Sequence, residues 1–492
     1  MRNRLAIAFQ NPTWMPVASI LLLALLIRSL GLGAESAWID EGYSLALARY
    51  PIPEIIRGTA VDQHPPLYYL LLHFWLWLGD GIYNARLLSV LLGLLNVYQV
   101  IIFGRRLGGQ LLGLGAGLLL TINPMHVWYS QEARQYMLLA ILTTAATFEF
   151  WACLQGKQRW FTYGLFVLLS LYTQYFTVFI LLSHAFLTVV WTVWGRNKRI
   201  FLHWLFVIVG VGLFFLPWLP VALNQFFYHP TPWIDDPAAG DIRDILLRLL
   251  FGSGVLILPA WLLWLGLAGV VCSFIWAFWK LFTERVQSLE PVVFLAAWAL
   301  LPYLAISMVS VFYPIFQFKQ FLILLSPILM LAMITMGLFT HRWKNPVYFC
   351  LLLIPIFSLV YQQVTLSKDD WRGMSAYIQA NLQAGDAIYV NPAGATLVLN
   401  LYLDPATPIK GYPPDYEILT GGWKGEPLTA DIAAQQLGSM AIQLKRIWFV
   451  EFFPEFWDPA GHLPAWLDEH ATMLDHQRSG NIQLRLYLLE KP

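Results

Sequence analysis

Charge is what this sequence has least of. Asp, Glu, Lys and Arg make up 12% of its 492 residues, where a soluble domain carries about 25%. Apolar residues take their place, at 58% of the chain, and they gather in long runs. That excludes one soluble core and makes lipid the solvent for most of the protein. The few charges almost cancel, to +1, so nothing points to nucleic acid or another strongly charged partner. Cysteine is scarce too. Cys153, Cys272 and Cys350 each sit inside an apolar run, as small core residues rather than a disulfide framework or metal cluster. Internal repeats and low-complexity tracts are missing, and many transporter folds are built from repeats. Aromatic residues are plentiful, at 16% with 23 Trp. Most fit the interfacial belt of a membrane protein; stacking on sugar rings is the sharper reading for a few.

Apolar runs of membrane-spanning character occur near 15–33, 85–104, 109–123, 134–153, 160–174, 176–194, 201–221, 255–280, 291–312, 318–339 and 345–361. They predict about eleven transmembrane helices. Arg2 and Arg4 precede the first run, which is long for a signal peptide and reads as an uncleaved span. The segment Pro66–Gly79 is apolar but short. As a helix it would extend roughly 21 Å against a hydrocarbon core of about 30 Å. We read it as interfacial.

The basic residues agree. With Pro66–Gly79 not crossing, Arg2/Arg4, Arg105/Arg106, Lys157/Arg159, Arg196/Lys198/Arg199, Lys280/Arg285 and Arg342/Lys344 all fall on one side, which the positive-inside rule makes cytoplasmic. The other side receives 34–84, 124–133, 222–254, 313–317 and the tail. The expected location is the plasma (inner) membrane, with the tail outside. From about Gln362 polar helical stretches alternate with short apolar strands, predicting an α/β domain over 362–492 behind a membrane domain over 1–361.

Two outer segments concentrate ionisable groups. The first, 34–84, carries Asp40-Glu41 just past the first span, then Asp62 and His64 before the interfacial helix. The second carries His126, Tyr129, Glu132 and Arg134. Such groups at membrane depth are functional candidates, because burying them is costly. His73 and His184 lie on apolar faces and read as satisfied core histidines. Asp369, Asp370 and Arg372 read as a helix start.

Four motifs carry a resemblance. They are Trp38-Ile39-Asp40-Glu41, then Asp62-Gln63-His64-Pro65-Pro66-Leu67-Tyr68-Tyr69, then Ala85-Arg86-Leu87, then Tyr129-Ser130-Gln131-Glu132-Ala133-Arg134. In this order they resemble the GT-C glycosyltransferases, and within them the bacterial branch similar to dolichyl-phosphate-mannose protein mannosyltransferases and lipid A aminoarabinose transferases. The likeness is strong over roughly 15–200 and thin in the tail, where Lys368–Arg372 also looks familiar. It implies a polytopic helical enzyme. Its donor would be a polyprenyl-phosphate sugar and its acceptor a hydroxyl of a glycan, lipid or protein. The first outer loop would supply the catalytic carboxylates, Asp40 with Glu41.

The chemistry suits the residue types. A carboxylate takes the acceptor proton as the hydroxyl attacks the anomeric carbon. The transition state is oxocarbenium-like, as in glycoside hydrolysis. The leaving group is already an anion and needs cations: Arg86 first by resemblance, Arg134 second. Lys319 stands where relatives often carry Arg, without the bidentate fork, and a snorkelling lysine explains it equally. Some members of the family bind a divalent cation, for which Glu41, Asp62, His64 and Glu132 are candidate ligands by type. Two other readings compete. A flippase for lipid-linked saccharides needs ionisable groups near the midplane, and the spans from 201 to 361 hold almost none. A scaffold that binds cell-wall material leaves the clustered acids unexplained.

Overall fold

The computed structural model describes residues 14–195, 198–228, 239–283, 289–313, 315–338, 341–365, 368–414, 416–420 and 428–489. They fall into two compact units that are not consecutive in sequence. One comprises Met1–Leu30, Leu87–Pro220 and Ile234–Thr365; the other gathers Gly31–Arg86, Val221–Trp233 and Leu366–Pro492.

The first unit is a bundle of apolar helices. Each of the eleven apolar runs is helical, from Trp14–Ser29 through Ile82–Gly108 to His341–Thr365. Among the described residues six of the helices are long and apolar enough to cross a membrane unaided, or seven if a pair bent by 64° (Gln110–Ile122 with Pro124–Ser130) is one span; the others offer shorter apolar stretches. The chain is a multi-pass membrane protein. Its helices divide by environment. Tyr136–Leu154 is 83% buried over its apolar window and lies inside the bundle, whereas Lys198–Phe215 is equally apolar and only 6% buried. Phe206 and Phe214 stand out from the latter helix, a surface that only lipid accommodates. Small residues bring two helices together. A Cβ on Gly113 would lie 2.3 Å from the Ile101 carbonyl oxygen, so only glycine lets the backbones approach there.

Cys153 is buried and Cys272 exposed; the Cys350 side chain lies outside the described residues. Arg2, Arg4, Arg196 and Arg285 also lie outside them. His184 is a satisfied core histidine, bonded to Thr147 Oγ1 at 3.2 Å and the Tyr163 hydroxyl at 3.1 Å.

The second unit joins the first outer segment to the tail. The segment folds as three short helices, Ile39–Ala48, Ile52–Val61 and Leu67–Trp75, the last ending in a 3-10 turn to Leu78. The tail carries a five-stranded sheet of β1 Asp386–Asn391, β2 Ile409–Gly411, β3 Arg446–Phe452, β4 Ala471–Ser479 and β5 Ile482–Leu489. The order is β2-β1-β3-β5-β4, with β1 parallel to β2 and β3, and β5 antiparallel to β3 and β4. Asp370 caps the helix Trp371–Asn381 through the Gly373 amide at 2.8 Å, as its sequence position predicts. A short helix spans Thr396–Leu399, and the helix His462–His470 ends where β4 begins. β4 is an edge strand, mostly exposed and bulged between Met473 and Asp475. It therefore lacks the two-residue alternation that marks a half-buried strand.

Candidate functional site

In the second unit the helix Ile39–Ala48 presents Asp40 and Glu41 in its first turn. Glu41 is fully buried and Asp40 only partly. The Glu41 carboxylate is surrounded by donors. Arg86 Nε reaches Oε1 at 2.8 Å and an Arg86 terminal nitrogen reaches Oε2 at 2.7 Å. Lys368 Nζ donates to Oε2 at 3.0 Å, and the Trp38 amide lies 3.4 Å from it. Two cations and a backbone N–H thus compensate a charge that burial would otherwise make very costly.

This geometry corrects two expectations. Arg86 was expected to hold the donor phosphate. Its remaining N–H groups donate to the carbonyls of Leu32, Glu35 and Ser36 at 2.8–3.0 Å. A guanidinium has five donors, and all five are engaged inside the protein, so Arg86 is an anchor. Glu41, expected to share catalysis, is its counter-ion. Together they fix the helix start on which Asp40 sits. Glu35 lies beside this cluster; burial pushes its carboxyl above the usual range, against the pull of Lys368 and Arg86.

Sequence reading missed Lys368. The familiar look of Lys368–Arg372 was the only signal, because its partner is 327 positions away. The same unit holds further ties. Ser36 Oγ donates to Asp370 Oδ1 at 3.0 Å, and the Ala37 amide to the Tyr402 hydroxyl at 2.7 Å. A Cβ on Gly42 would come within 3.0 Å of the Val398 backbone nitrogen, so glycine is what lets the Asp40 helix lie against the tail.

Asp62 and His64 form a separate pair, Nδ1 to Oδ2 at 3.2 Å, with the Tyr69 hydroxyl 3.5 Å from the same oxygen. Tyr69 also meets Tyr43 edge-on, ring centres 6.1 Å apart. His73 is bonded to the Ala48 carbonyl at 2.8 Å, the satisfied state its apolar face predicts.

The first unit carries the other candidates. At the bend after Ile122, Asn123 accepts the His126 amide at 3.0 Å and Pro124 opens the short helix Pro124–Ser130. The segment is largely buried, not a solvated loop: His126, Ser130, Glu132 and Arg134 are each at most 3% exposed. Its anchor is Arg28, buried within the helix Trp14–Ser29. Arg28 donates to the Ala24, Leu120 and Thr121 carbonyls at 3.1–3.2 Å, to Ser130 Oγ at 3.3 Å and to His126 Nδ1 at 2.7 Å. Arginine has no acceptor, so His126 Nδ1 must accept and its Nε2–H faces Asn96 Oδ1 at 3.2 Å. One neutral tautomer is thereby selected.

Beyond the bend, Tyr129 packs on Tyr136 with ring centres 5.1 Å apart, and Lys319 Nζ sits 5.6 Å from the Tyr136 ring centre. Arg248 lies over the Phe318 ring at 3.9 Å and, with Glu132, within electrostatic reach of Tyr129. Sequence reading missed Arg248, one cation on a helix whose first residues gave no motif. Tyr129, Glu132, Arg134, Arg248 and Lys319 all belong to this unit.

The candidate metal ligands do not assemble. Glu41 is committed to Arg86 and Lys368, Asp62 and His64 bond to each other, and Glu132 lies in the other unit. Among the described residues no three His, Cys, Asp or Glu side chains come together.

No family model matches the sequence, and neither does any curated protein. Solved structures do match in fold. ArnT from Cupriavidus metallidurans superposes with a TM-score of 0.61 at 15% identity, covering 96% of this chain and 97% of that one. The same protein bound to undecaprenyl phosphate gives 0.61 and 15%, over 96% and 98%. This chain has the GT-C fold. The oligosaccharyltransferase AglB of Archaeoglobus fulgidus, solved with an inhibitory peptide and a dolichol-phosphate, gives 0.50 at 10% identity, over 96% of this chain and 75% of that one. Both neighbours are GT-C superfamily members. The end-to-end coverage by ArnT means the GT-C likeness includes the tail, where sequence resemblance was thin.

Proposed function

We propose that this GT-C chain is a glycosyltransferase that moves a sugar from a polyprenyl-phosphate carrier to a hydroxyl acceptor at the outer face of the membrane. The observation that carries the reading is the Glu41–Arg86–Lys368 cluster, which fixes the helix start bearing Asp40 within this fold. The likeness to structures holding undecaprenyl phosphate and a dolichol-phosphate supports the donor class.

In this reading Asp40 is the base. The acceptor oxygen attacks the anomeric carbon and its proton passes to the Asp40 carboxylate. The bond from that carbon to the phosphate oxygen breaks, and the polyprenyl phosphate leaves with the electron pair. Attack opposite the leaving group inverts the anomeric centre. Arg248, Lys319 and Arg134 are the proposed cations for the phosphate, with Tyr129 and Glu132 among them. Asp62 and His64 are proposed substrate contacts. The outer-face placement rests on the basic loops and on Pro66–Gly79 not crossing.

The test is transfer by the reconstituted protein from a synthetic undecaprenyl-phosphate sugar. Asp40→Asn should abolish transfer while the melting midpoint stays at the wild-type value; undiminished transfer would remove Asp40 as the base.

A further inference from the structure

The two faces of the tail sheet differ in a way that packing alone does not explain. On one face Ile388, Val390, Trp448, Val450, Leu484 and Leu486 form an unbroken apolar core. The other face is apolar at its start, where Ala387, Ile447 and Tyr487 pack together. Toward the carboxyl ends of β1 and β3 it turns polar. The last row across the three strands is Asn391, Glu451 and Gln483, paired directly in register. Asn391 is 1% exposed and Glu451 2%.

These buried groups are not satisfied. Neither amide atom of Asn391 has a hydrogen-bond partner, nor does Glu451 Oε1, nor the Tyr389 hydroxyl one row back. Glu451 Oε2 is bonded to Arg485 at 2.8 Å, and Arg485 in turn to Gln483 at 2.7 Å. A buried polar atom without a partner is destabilising, so four of them in one place need a cause. The backbone beside them is unusual as well. Phe453, just past β3, has φ of 47°, a left-handed conformation that bulky residues avoid outside functional sites.

Their position in the topology matters. β2 and β3 lie on opposite sides of β1, so the chain reverses direction across the sheet there. The crevice outside the carboxyl ends of the strands at such a switch point is where open α/β sheets bind ligands. Gln483 and Arg485, beside the buried pair, are only partly buried.

We propose that the region outside the carboxyl ends of β1 and β3 is a binding site for a neutral saccharide unit that presents two adjacent hydroxyls to Asn391 and Glu451. The amide offers donors and an acceptor; the carboxylate oxygen offers an acceptor only. A hydroxyl accepts from the amide while donating to the carboxylate, and a ligand with carbonyls alone leaves Glu451 Oε1 unmet. An anion is repelled by that oxygen, and a cation finds the carboxylate already neutralised by Arg485. The site lies wholly within the second unit and does not rest on glycosyl transfer.

The test uses the full chain in nanodiscs, probed by saturation-transfer difference NMR with methyl α-D-mannopyranoside and methyl β-D-galactopyranoside. Transfer to ring protons is expected for at least one glycoside. Asn391→Leu should weaken it at least about tenfold, the worth of one or two lost hydrogen bonds. Tyr389→Phe should weaken it severalfold. Because the removed atoms have no partners within the protein, both variants should melt at or above the wild-type temperature. Three results each overturn the proposal: no transfer to either glycoside up to about 10 mM; undiminished transfer in Asn391→Leu; or a lowered melting temperature in either variant, which assigns the polar atoms to the fold through bound water.

Discussion

Arg86 grips Glu41 with two of its five N–H donors and gives the rest to backbone carbonyls, and Glu41 in return has no solvent contact at all. The pair should behave as one unit. Removing Glu41 leaves the buried Arg86 charge without a counter-ion, at a cost of about 3–5 kcal/mol; removing Arg86 leaves Glu41 with Lys368 alone and strands three backbone carbonyls. Arg86→Met and Glu41→Gln are each expected to lower the melting temperature sharply. The double variant should be less destabilised than the sum of the two. Arg86→Lys should not rescue, since one ammonium cannot reach five acceptors. Thermal melts of the four proteins complete the cycle, and simple additivity would show the pair is not coupled.

Gly42 tests the contact between the Asp40 helix and the tail. Backbone atoms of Leu397 and Val398 stand where a side chain would begin. Backbone cannot step aside as a flexible side chain can, so Gly42→Leu should cost about 1–3 kcal/mol. Limited proteolysis of the tail should show faster cleavage than in the wild type.

Arg28→Met removes five donors from inside the helical bundle and strands the Leu120 and Thr121 carbonyls with His126 Nδ1. The expected loss is about 3 kcal/mol or more. Arg28→Lys should recover only part of it. Size-exclusion profiles of detergent-solubilised protein after graded heating provide the measurement; a variant as heat-resistant as the wild type would contradict the network.

The proposed phosphate cations separate from the proposed base in kinetics. Arg248→Gln is expected to raise KM for the lipid-linked donor about tenfold or more with a smaller change in kcat, as loss of ground-state binding does. Lys319→Gln should do the same more weakly, because a point charge lacks the fork. Asp40→Asn should instead lower kcat by about a hundredfold or more.

The tail has its own pH dependence. Asp386 is buried at the start of β1, and burial pushes its carboxyl up. The Arg446 guanidinium, the Gln383 amide and the Trp448 indole outweigh this and hold it below its ordinary 3.8. A depressed carboxylate contributes stability above its unfolded pKa, and that stability is lost as pH falls through the folded value. The tail should therefore weaken below about pH 4. Asp386→Asn should be less stable at neutral pH and should flatten this acid limb, followed by Trp448 fluorescence.

Much of this was legible in the sequence. The apolar runs placed the helices, because a backbone in lipid must bond to itself wherever side chains are apolar. Ordered motifs picked out Asp40, Glu41, Arg86 and Glu132, and the capping role of Asp370 followed from its neighbours alone. All of these signals are local.

What the sequence could not supply was pairing at a distance. Arg86 read as a phosphate ligand until its five donors were seen to end on Glu41 and three carbonyls. Lys368 meets Glu41 across 327 positions, Arg28 holds a bend some 100 residues away, and Asn391 meets Glu451 only through strand register. A motif states which charges are present. Whether a charge is an anchor or is available for chemistry depends on which donors and acceptors the fold brings within about 3 Å of it, and that is decided by tertiary structure.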